Sequence, residues 1–557
     1  MPGGLLNIIS YGSQNIILNG NPSKTFFKCV YSKYTNFGLQ NIRIDFNGQR
    51  MLKLNESSNF TFKIPRNAEL LLDTYLVFNL PDIWSPIKPP LFVGDVWKPY
   101  EFQWIEDIGT NIIENVQISI GGQMIQQFSG QYIKNIVERD FSESRKKHFY
   151  KMTGNTIELN NPSIAYNRYN KYPNSYYKPN EFISSEPSIR GRKIYVPLPF
   201  WFGHSTKVAL PLVALQYSEI QIDIRLRPIR ELFVINDVTK TGENFTKNKI
   251  QPNFVLQDNA MYRFLNQPTD IVLDPSTYID QNTIWDTDVN LLATYGFLTG
   301  DEAKVFALNE QKYLIKDVRE TEHLNSTGST RIKIDSNALV SSWMFFFRRN
   351  DAYLRNQWSN YSNWPYNNVL PNDVIRAPIT SNLTFNKQSI GPAYNYKDTN
   401  GAITISNIYI TPELNPDNLK DILSRLSIIF DGQFRETDLD SGVYNYISKY
   451  KMSNGNSNDG LYSYNFTLNT SDNIQPSGAI NLSKFKTIEL EINTIFPSFD
   501  SSSSANTQTL CDANGNVIGI TNNNSSVYKY TYNLYFTEER YNILRFIGGS
   551  AGLVYAR

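Results

Sequence analysis

The sequence predicts an all-β protein, two tandem eight-stranded jelly-roll barrels with long loops and a few short helices. Three observations predict it: apolar and polar residues alternate with period two, the chain repeats itself in order, and the insertions fall at alternate links. Phe60, Phe62 and Ile64 alternate with Thr61 and Lys63; Val116, Ile118 and Ile120 with Gln117 and Ser119. Ile220, Ile222, Ile224 and Leu226 alternate with Gln221, Asp223 and Arg225. Such a strand buries one face and wets the other, as each sheet of a sandwich requires.

The repeat is faint but ordered. Phe62-Lys63-Ile64-Pro65-Arg66-Asn67-Ala68 returns as Ile332-Lys333-Ile334-Asp335-Ser336-Asn337-Ala338. Ile118-Ser119-Ile120-Gly121-Gly122-Gln123 returns as Ile428-Ile429-Phe430-Asp431-Gly432-Gln433, with a one-residue slide in the strand. Ile194-Tyr195 returns as Leu461-Tyr462, and the alternation Tyr217, Ile220, Ile222, Ile224 as Phe485, Ile488, Leu490, Ile492. Tyr295-Gly296-Phe297 is matched with Tyr532-Asn533-Leu534. Five matches in one order indicate two copies of one β domain, divided here as residues 25–312 and 313–557 after an N-terminal arm of residues 1–24. The first copy is expected to close near residues 291–298 and the second to open near 313–318, with 299–311 an exposed connector.

Spacing between these marks locates the insertions. The second copy carries about 40 extra residues before its Asp-Gly turn, and the first carries compensating ones after its Gly-Gly turn. In an eight-stranded jelly roll the variable links are then third-to-fourth (81–112 and 349–401), fifth-to-sixth (130–193) and seventh-to-eighth (228–290). All of these lie at one end of a barrel, and the short links lie at the other. One end is elaborated and one is plain. Gly121-Gly122 and Asp431-Gly432 fall where a tight hairpin needs positive φ. Helical signals are short, near 132–139, 415–425 and 444–450. A hairpin flanked by the polar runs 501–504 and 522–526 is expected between the last two strands.

Composition narrows the function. At 557 residues two domains are expected. With 14% aromatic and 19% charged residues there is ample material to bury, and a net charge of +1 makes no case for direct nucleic-acid binding. The clusters Arg145-Lys146-Lys147-His148 and Arg190-Gly191-Arg192-Lys193 are short and read as solvated loop charge. Cys29 and Cys511 are far apart, which gives no disulfide framework and points to a reducing compartment. Residues 1–6 lack the pattern of a signal peptide, position 2 is not Gly, and no apolar run reaches a membrane-spanning length. The long loops are rich in Tyr, Trp and Asn, as in 166–172 and 358–364, which suits loop packing or recognition. Base composition of the gene is an open alternative for that enrichment.

No catalytic, cofactor-binding or metal residue is nominated. Gly548-Gly549-Ser550-Ala551-Gly552 fits a nucleophile-elbow pattern, but no His follows it and a glycine-rich turn explains it. His148, His204 and His323 lack metal-ligand spacing. The acidic pairs Asp301-Glu302 and Glu538-Glu539 read as solvated turns at strand ends. Sequons at Asn59, Asn382 and Asn465 are expected by chance in so Asn-rich a chain.

Longer motifs carry a resemblance. They are Gly3-Gly4-Leu5-Leu6, Tyr11-Gly12-Ser13-Gln14-Asn15, Gly20-Asn21-Pro22 and Thr25-Phe26-Phe27-Lys28, followed by Ile120-Gly121-Gly122-Gln123. Tyr195-Val196-Pro197-Leu198-Pro199-Phe200-Trp201-Phe202, residues 209–217, Gln475-Pro476-Ser477-Gly478 and Tyr541-Asn542-Ile543-Leu544-Arg545 extend it to the C-terminus. In these the chain resembles the major capsid proteins of the nucleocytoplasmic large DNA viruses. The resemblance implies a double jelly roll whose homotrimer is a pseudo-hexagonal capsomer tiling an icosahedral virion shell. It implies neighbouring capsomers as partners, minor capsid proteins and an inner membrane at the plain end, and the elaborated loops, a place for surface glycans, outside. It places assembly in the host cytoplasm. The seventh-to-eighth link of the first barrel and the third-to-fourth link of the second are longer than in compact members. Rival readings are a double-barrel scaffold or minor capsid paralogue and, in another class, a glycan-binding jelly-roll protein.

Overall fold

The computed structural model describes residues 4–10, 12–13, 23, 25–46, 48–177, 186–241, 249–371, 395–397, 403–405, 416–455, 458–472, 474–498, 507–511, 517–522 and 528–555. Eight strands build the first roll: β1 (Phe37–Asp45), β2 (Ser58–Lys63), β3 (Leu70–Leu80), β4 (Ile113–Ile120), β5 (Gln123–Phe128), β6 (Arg192–Pro197), β7 (Ile220–Leu226) and β8 (Asn290–Leu298). One antiparallel sheet runs β1-β8-β3-β6 and the facing sheet β2-β7-β4-β5. The second roll has β9 (Gln311–His323), β10 (Ser329–Lys333), β11 (Leu339–Arg349), β12 (Leu423–Phe430), β13 (Gln433–Asp440), β14 (Leu461–Asn465), β15 (Ile488–Thr494) and β16 (Tyr532–Ile547). Its sheets, β9-β16-β11-β14 and β10-β15-β12-β13, repeat the same order. This is the strand order of a jelly roll, twice.

Alternation supplies each core. Phe60, Phe62, Ile118 and Ile222 of one sheet meet Leu76, Phe78, Ile194 and Leu291 of the other. Trp343, Phe345 and Phe536 face Ile428, Leu490 and Ile492 in the second roll. Each such side chain contributes about 1.5–3 kcal/mol by leaving water. Both predicted hairpins are two-residue turns with left-handed backbone: Gly121 and Gly122 at φ 58° and 81°, Asp431 and Gly432 at 49° and 79°. That twist matches the flanking strands.

Structure revises the sequence reading in several places. Tyr295 and Tyr532 lie on equivalent strands but at opposite ends, because Tyr295 pairs with Leu71 near the start of β3 and Tyr532 with Arg349 at the end of β11. A bulge skips Leu72 in β3 and Ser341 in β11, so the counterpart of Tyr295 is Arg540, opposite Val340. Of the expected helix 415–425, the described residues from 416 on hold only the short turn Pro416–Asn418 before β12 begins at Leu423, so the third-to-fourth link of the second roll runs past residue 401. Conversely, Glu143–Thr153 and Gly300–Leu308 are helices that periodicity missed, the second an exposed helix between the rolls. The run from Arg145 to His148 thus lies on a helix with Lys146 buried, and Arg192 and Lys193 belong to β6. Asp301 and Glu302 open the helix Gly300–Leu308, where carboxylates suit its dipole. Between β15 and β16, Thr507–Cys511 pairs with Val517–Asn522 as a hairpin; its expected flanks 501–504 and 523–526 lie outside the described residues, as does the sequon at Asn382.

Candidate assembly interface

The first candidate interface is the seam between the two rolls. Helix α1 (Gly130–Asp140) leaves the end of β5 and enters that seam. Ser129 caps it, accepting from the Tyr132 N–H at 3.2 Å. Gly130 is required there, since a Cβ would come within 1.9 Å of the Thr110 carbonyl oxygen. Tyr132, Ile133, Ile136 and Val137 form its apolar face, yet Lys134, Glu138 and Arg139 are buried as well. Buried charge needs partners.

Arg139 finds them across the seam. Its Nη1 and Nη2 donate to Glu539 Oε2 and Oε1 at 3.1 and 3.2 Å, while Nη2 also reaches Asp140 at 2.7 Å. Ser342 Oγ and Tyr132 Oη donate to the same Glu539 carboxylate at 2.6 and 3.0 Å. Burial alone would raise the Glu539 carboxyl; the charges of Arg139 and Lys316 outweigh it and pull the pKa down to about 2. Beside it, Glu538 accepts from the Trp343 indole at 3.0 Å and from Arg540 at 2.7 Å. Glu538 and Glu539 therefore sit buried within β16, not in a solvated turn. The signal in the sequence was three charges, 538–540, inside a strand that is apolar on both sides of them.

A second buried set steadies α1 from the other side. Lys134 lies 2.9 Å from Asp107 and 2.8 Å from Glu138, and Lys146 lies 3.2 Å from Glu138. Desolvation would weaken the Lys134 charge, but Asp107 and Glu138 hold its pKa well above the ordinary value. Asp107 also accepts from Ser359 of the second roll at 2.8 Å.

The two rolls meet end to matching end. At the plain end, the turn Gly548-Gly549 that follows β16 accepts from Tyr217 N at 3.3 Å and Ser218 Oγ at 3.4 Å, beside the Gly121 turn. This glycine-rich turn is the segment that matched the nucleophile pattern; it links β16 to the short strand Ser550–Leu553. At the elaborated end, Asn356 donates to the Arg230 and Phe233 carbonyls at 2.8 Å each, and the Trp358 indole donates to Glu231 O at 3.0 Å. Arg227 stacks 4.0 Å from the Trp358 ring. Residues 358–364 are thus mortar between the rolls, whereas Tyr166 and Tyr169 of the other aromatic loop are exposed. Both rolls point the same way.

Among the described residues, which include His148, His204 and His323, no cluster of three or more His, Cys, Asp or Glu side chains is placed to hold a metal. Among them, too, no helix is long and apolar enough to cross a membrane. Phe26, Phe27, Val30, Tyr31 and Tyr34 are exposed on the chain leading into β1 at the plain end.

Comparison with known proteins agrees with this architecture. Residues 25–264 match the family model described as major capsid protein N-terminus, and residues 302–552 match that of the large eukaryotic DNA virus major capsid protein. The chain is 24% identical to the major capsid protein of Phaeocystis pouchetii virus and 24% identical to that of Paramecium bursaria Chlorella virus 1, with all of each chain covered. PBCV-1 VP54 superposes with a TM-score of 0.57 at 19% identity, covering 96% of this chain and 100% of the other. The Faustovirus major capsid protein gives 0.56 at 12% identity, covering 96% and 94%. Two rolls of one strand order, joined in parallel and matched by both halves of one capsid family, place this chain among the double jelly-roll major capsid proteins of the large DNA viruses.

Proposed function

We propose that the chain is the structural subunit of an icosahedral virion shell, and that three copies form a pseudo-hexagonal capsomer. The observation that carries this is the parallel seam. Two similar rolls that share both ends occupy neighbouring corners of a hexagon, and a threefold axis repeats the pair to six. Closed rotational symmetry then needs only one further kind of contact, from the second roll of one copy to the first roll of the next.

Residues 1–24 act as an arm, with residues 25–312 and 313–557 as the working units. The plain end faces inward, toward minor capsid proteins and an internal membrane; the aromatic segment 25–34 supports this, since a contiguous exposed apolar stretch marks an interaction site. The elaborated end faces outward, where glycans attach. The role is structural, with no enzymatic activity and no direct nucleic-acid contact, and assembly takes place in the host cytoplasm. Light scattering on the purified full chain tests the trimer, and proteomics of mature purified particles tests the shell role. A trimer abundant in mature particles is expected. A chain found only in immature particles is a scaffold instead.

A further inference from the structure

Four of the elaborated links meet in one cleft. Its walls come from residues 103–106, from 157–164, from Val234 with Lys249, and from 356–369, and they enclose about 390 Å³, a volume ordinary for a small-ligand site. Each segment belongs to a link that sequence spacing marks as variable. The first roll supplies three of them and the second roll one. The cleft therefore lies at the elaborated end and needs both rolls to form.

Its lining is rich in carboxamides. Among the described residues, the side chains of Gln103 and Asn161 make no hydrogen bond within the chain. Asn160 donates to Asn155 at 3.0 Å and Gln357 accepts the Asn367 N–H at 3.1 Å, so each leaves the other end of its amide available. Two aromatic rings stand beside them, both fixed in place. The Trp358 indole is held by its bond to Glu231 O at 3.0 Å, and the Tyr366 hydroxyl by its bond to Lys249 O at 2.8 Å. Rings held this way lose little freedom when a ligand arrives.

Two lining groups carry charge, and one is already spent. Lys249 lies 2.9 Å from the Glu101 carbonyl and 3.1 Å from its carboxylate. Glu106 makes no ion pair among the described residues; one of its oxygens accepts from Asn367 Nδ2 at 3.0 Å. The protein around it hinders hydration and raises its carboxyl above the ordinary range. The uncompensated charge of the cleft is thus a single carboxylate.

We propose that this cleft binds an uncharged saccharide. Neighbouring hydroxyls on a sugar ring both donate and accept, and a carboxamide answers both from one planar group. The C–H faces of the ring need a flat apolar surface, which Trp358 and Tyr366 provide. Glu106 accepts from hydroxyls and repels acidic sugars, phosphates and nucleic acids. The inference rests on the reading that the elaborated end faces outward, where such a site meets the glycans of a cell surface. A shell repeats the site once per chain, so that a weak single contact becomes an avid one.

The test applies the purified full chain to an array of neutral and sialylated oligosaccharides, followed by titration calorimetry with the strongest neutral one. Neutral sugars are expected to bind and sialylated ones to be rejected. Gln103→Ala combined with Asn161→Ala is expected to weaken neutral binding about tenfold or more while the melting temperature stays that of the parent. Glu106→Gln, which keeps the shape and removes the charge, is expected to admit the sialylated sugars. No neutral binding, equal binding of acidic sugars by the parent, or variants with unchanged affinity and selectivity overturn the site and spare the outward reading. Purified chain that binds, with intact particles that the same array fails to capture, upholds the site and overturns the outward reading.

Discussion

Arg139 and Glu539 are 400 positions apart in the chain and share two hydrogen bonds of 3.1 and 3.2 Å, with both side chains buried. One belongs to a helix inserted in the first roll, the other to the last long strand of the second. Removing one partner strands the other charge in a dry seam. Arg139→Ala is therefore expected to destabilise the chain by about 3–5 kcal/mol, read from denaturant unfolding. Replacing both residues with apolar groups of similar size should cost much less. Equal losses in the single and double variants would show that the pair does not couple the rolls.

The same carboxylate makes the seam sensitive to acid. Its folded pKa of about 2 lies below the ordinary 4.5, so its contribution is fully present above pH 4.5 and is lost as pH falls toward 2. Thermal melts of the wild type should decline across that window more steeply than those of Glu539→Gln. Parallel pH profiles for the two proteins would count against the assignment.

At the plain end, Gly122 has φ 81° and open space where a Cβ would stand. Gly122→Val should cost about 1–3 kcal/mol through backbone strain alone. Gly432, at φ 79° with equally open surroundings, should lose a similar amount, since the turns are equivalent. A differential scan of the two variants checks both magnitude and equality.

Gly455 tests the seam from the second roll. Its N–H donates to the Arg139 carbonyl at 2.8 Å, and a Cβ there would lie 2.3 Å from that oxygen. Gly455→Ala should lower the melting temperature by several degrees, because two backbones must separate. Tolerance of this change would mean that the seam is looser than its geometry.

Much of the fold was legible because a sandwich strand announces itself by period two, as Ile220 to Leu226 does. The double turn glycines and the repeat order were legible for the same local reason. The seam was not. Glu538 and Glu539 were misread because a pair of acids normally seeks water, and only tertiary structure brings Arg139, Tyr132 and Trp343 to them. The match of Tyr295 with Tyr532 failed because two aromatic-rich strands resemble each other at several registers, and hydrogen-bond pairing decides among them. Lys146 looked solvated until Glu138, on the preceding helix, was seen beside it.

The arm offers a separate assay. Deleting residues 1–24 should leave a folded trimer that builds shells poorly, because terminal segments gain order from neighbours rather than from their own roll. Loss of soluble trimer on deletion would assign the arm to the first roll's own packing.

Parallel rolls closing into a ring is the central claim, and electron-microscope images of the purified full chain test it most directly. The account predicts a three-lobed hexagonal plate with six similar towers, one per roll. Isolated two-roll particles, or a ring of any other order at concentrations where the protein is folded, would contradict it.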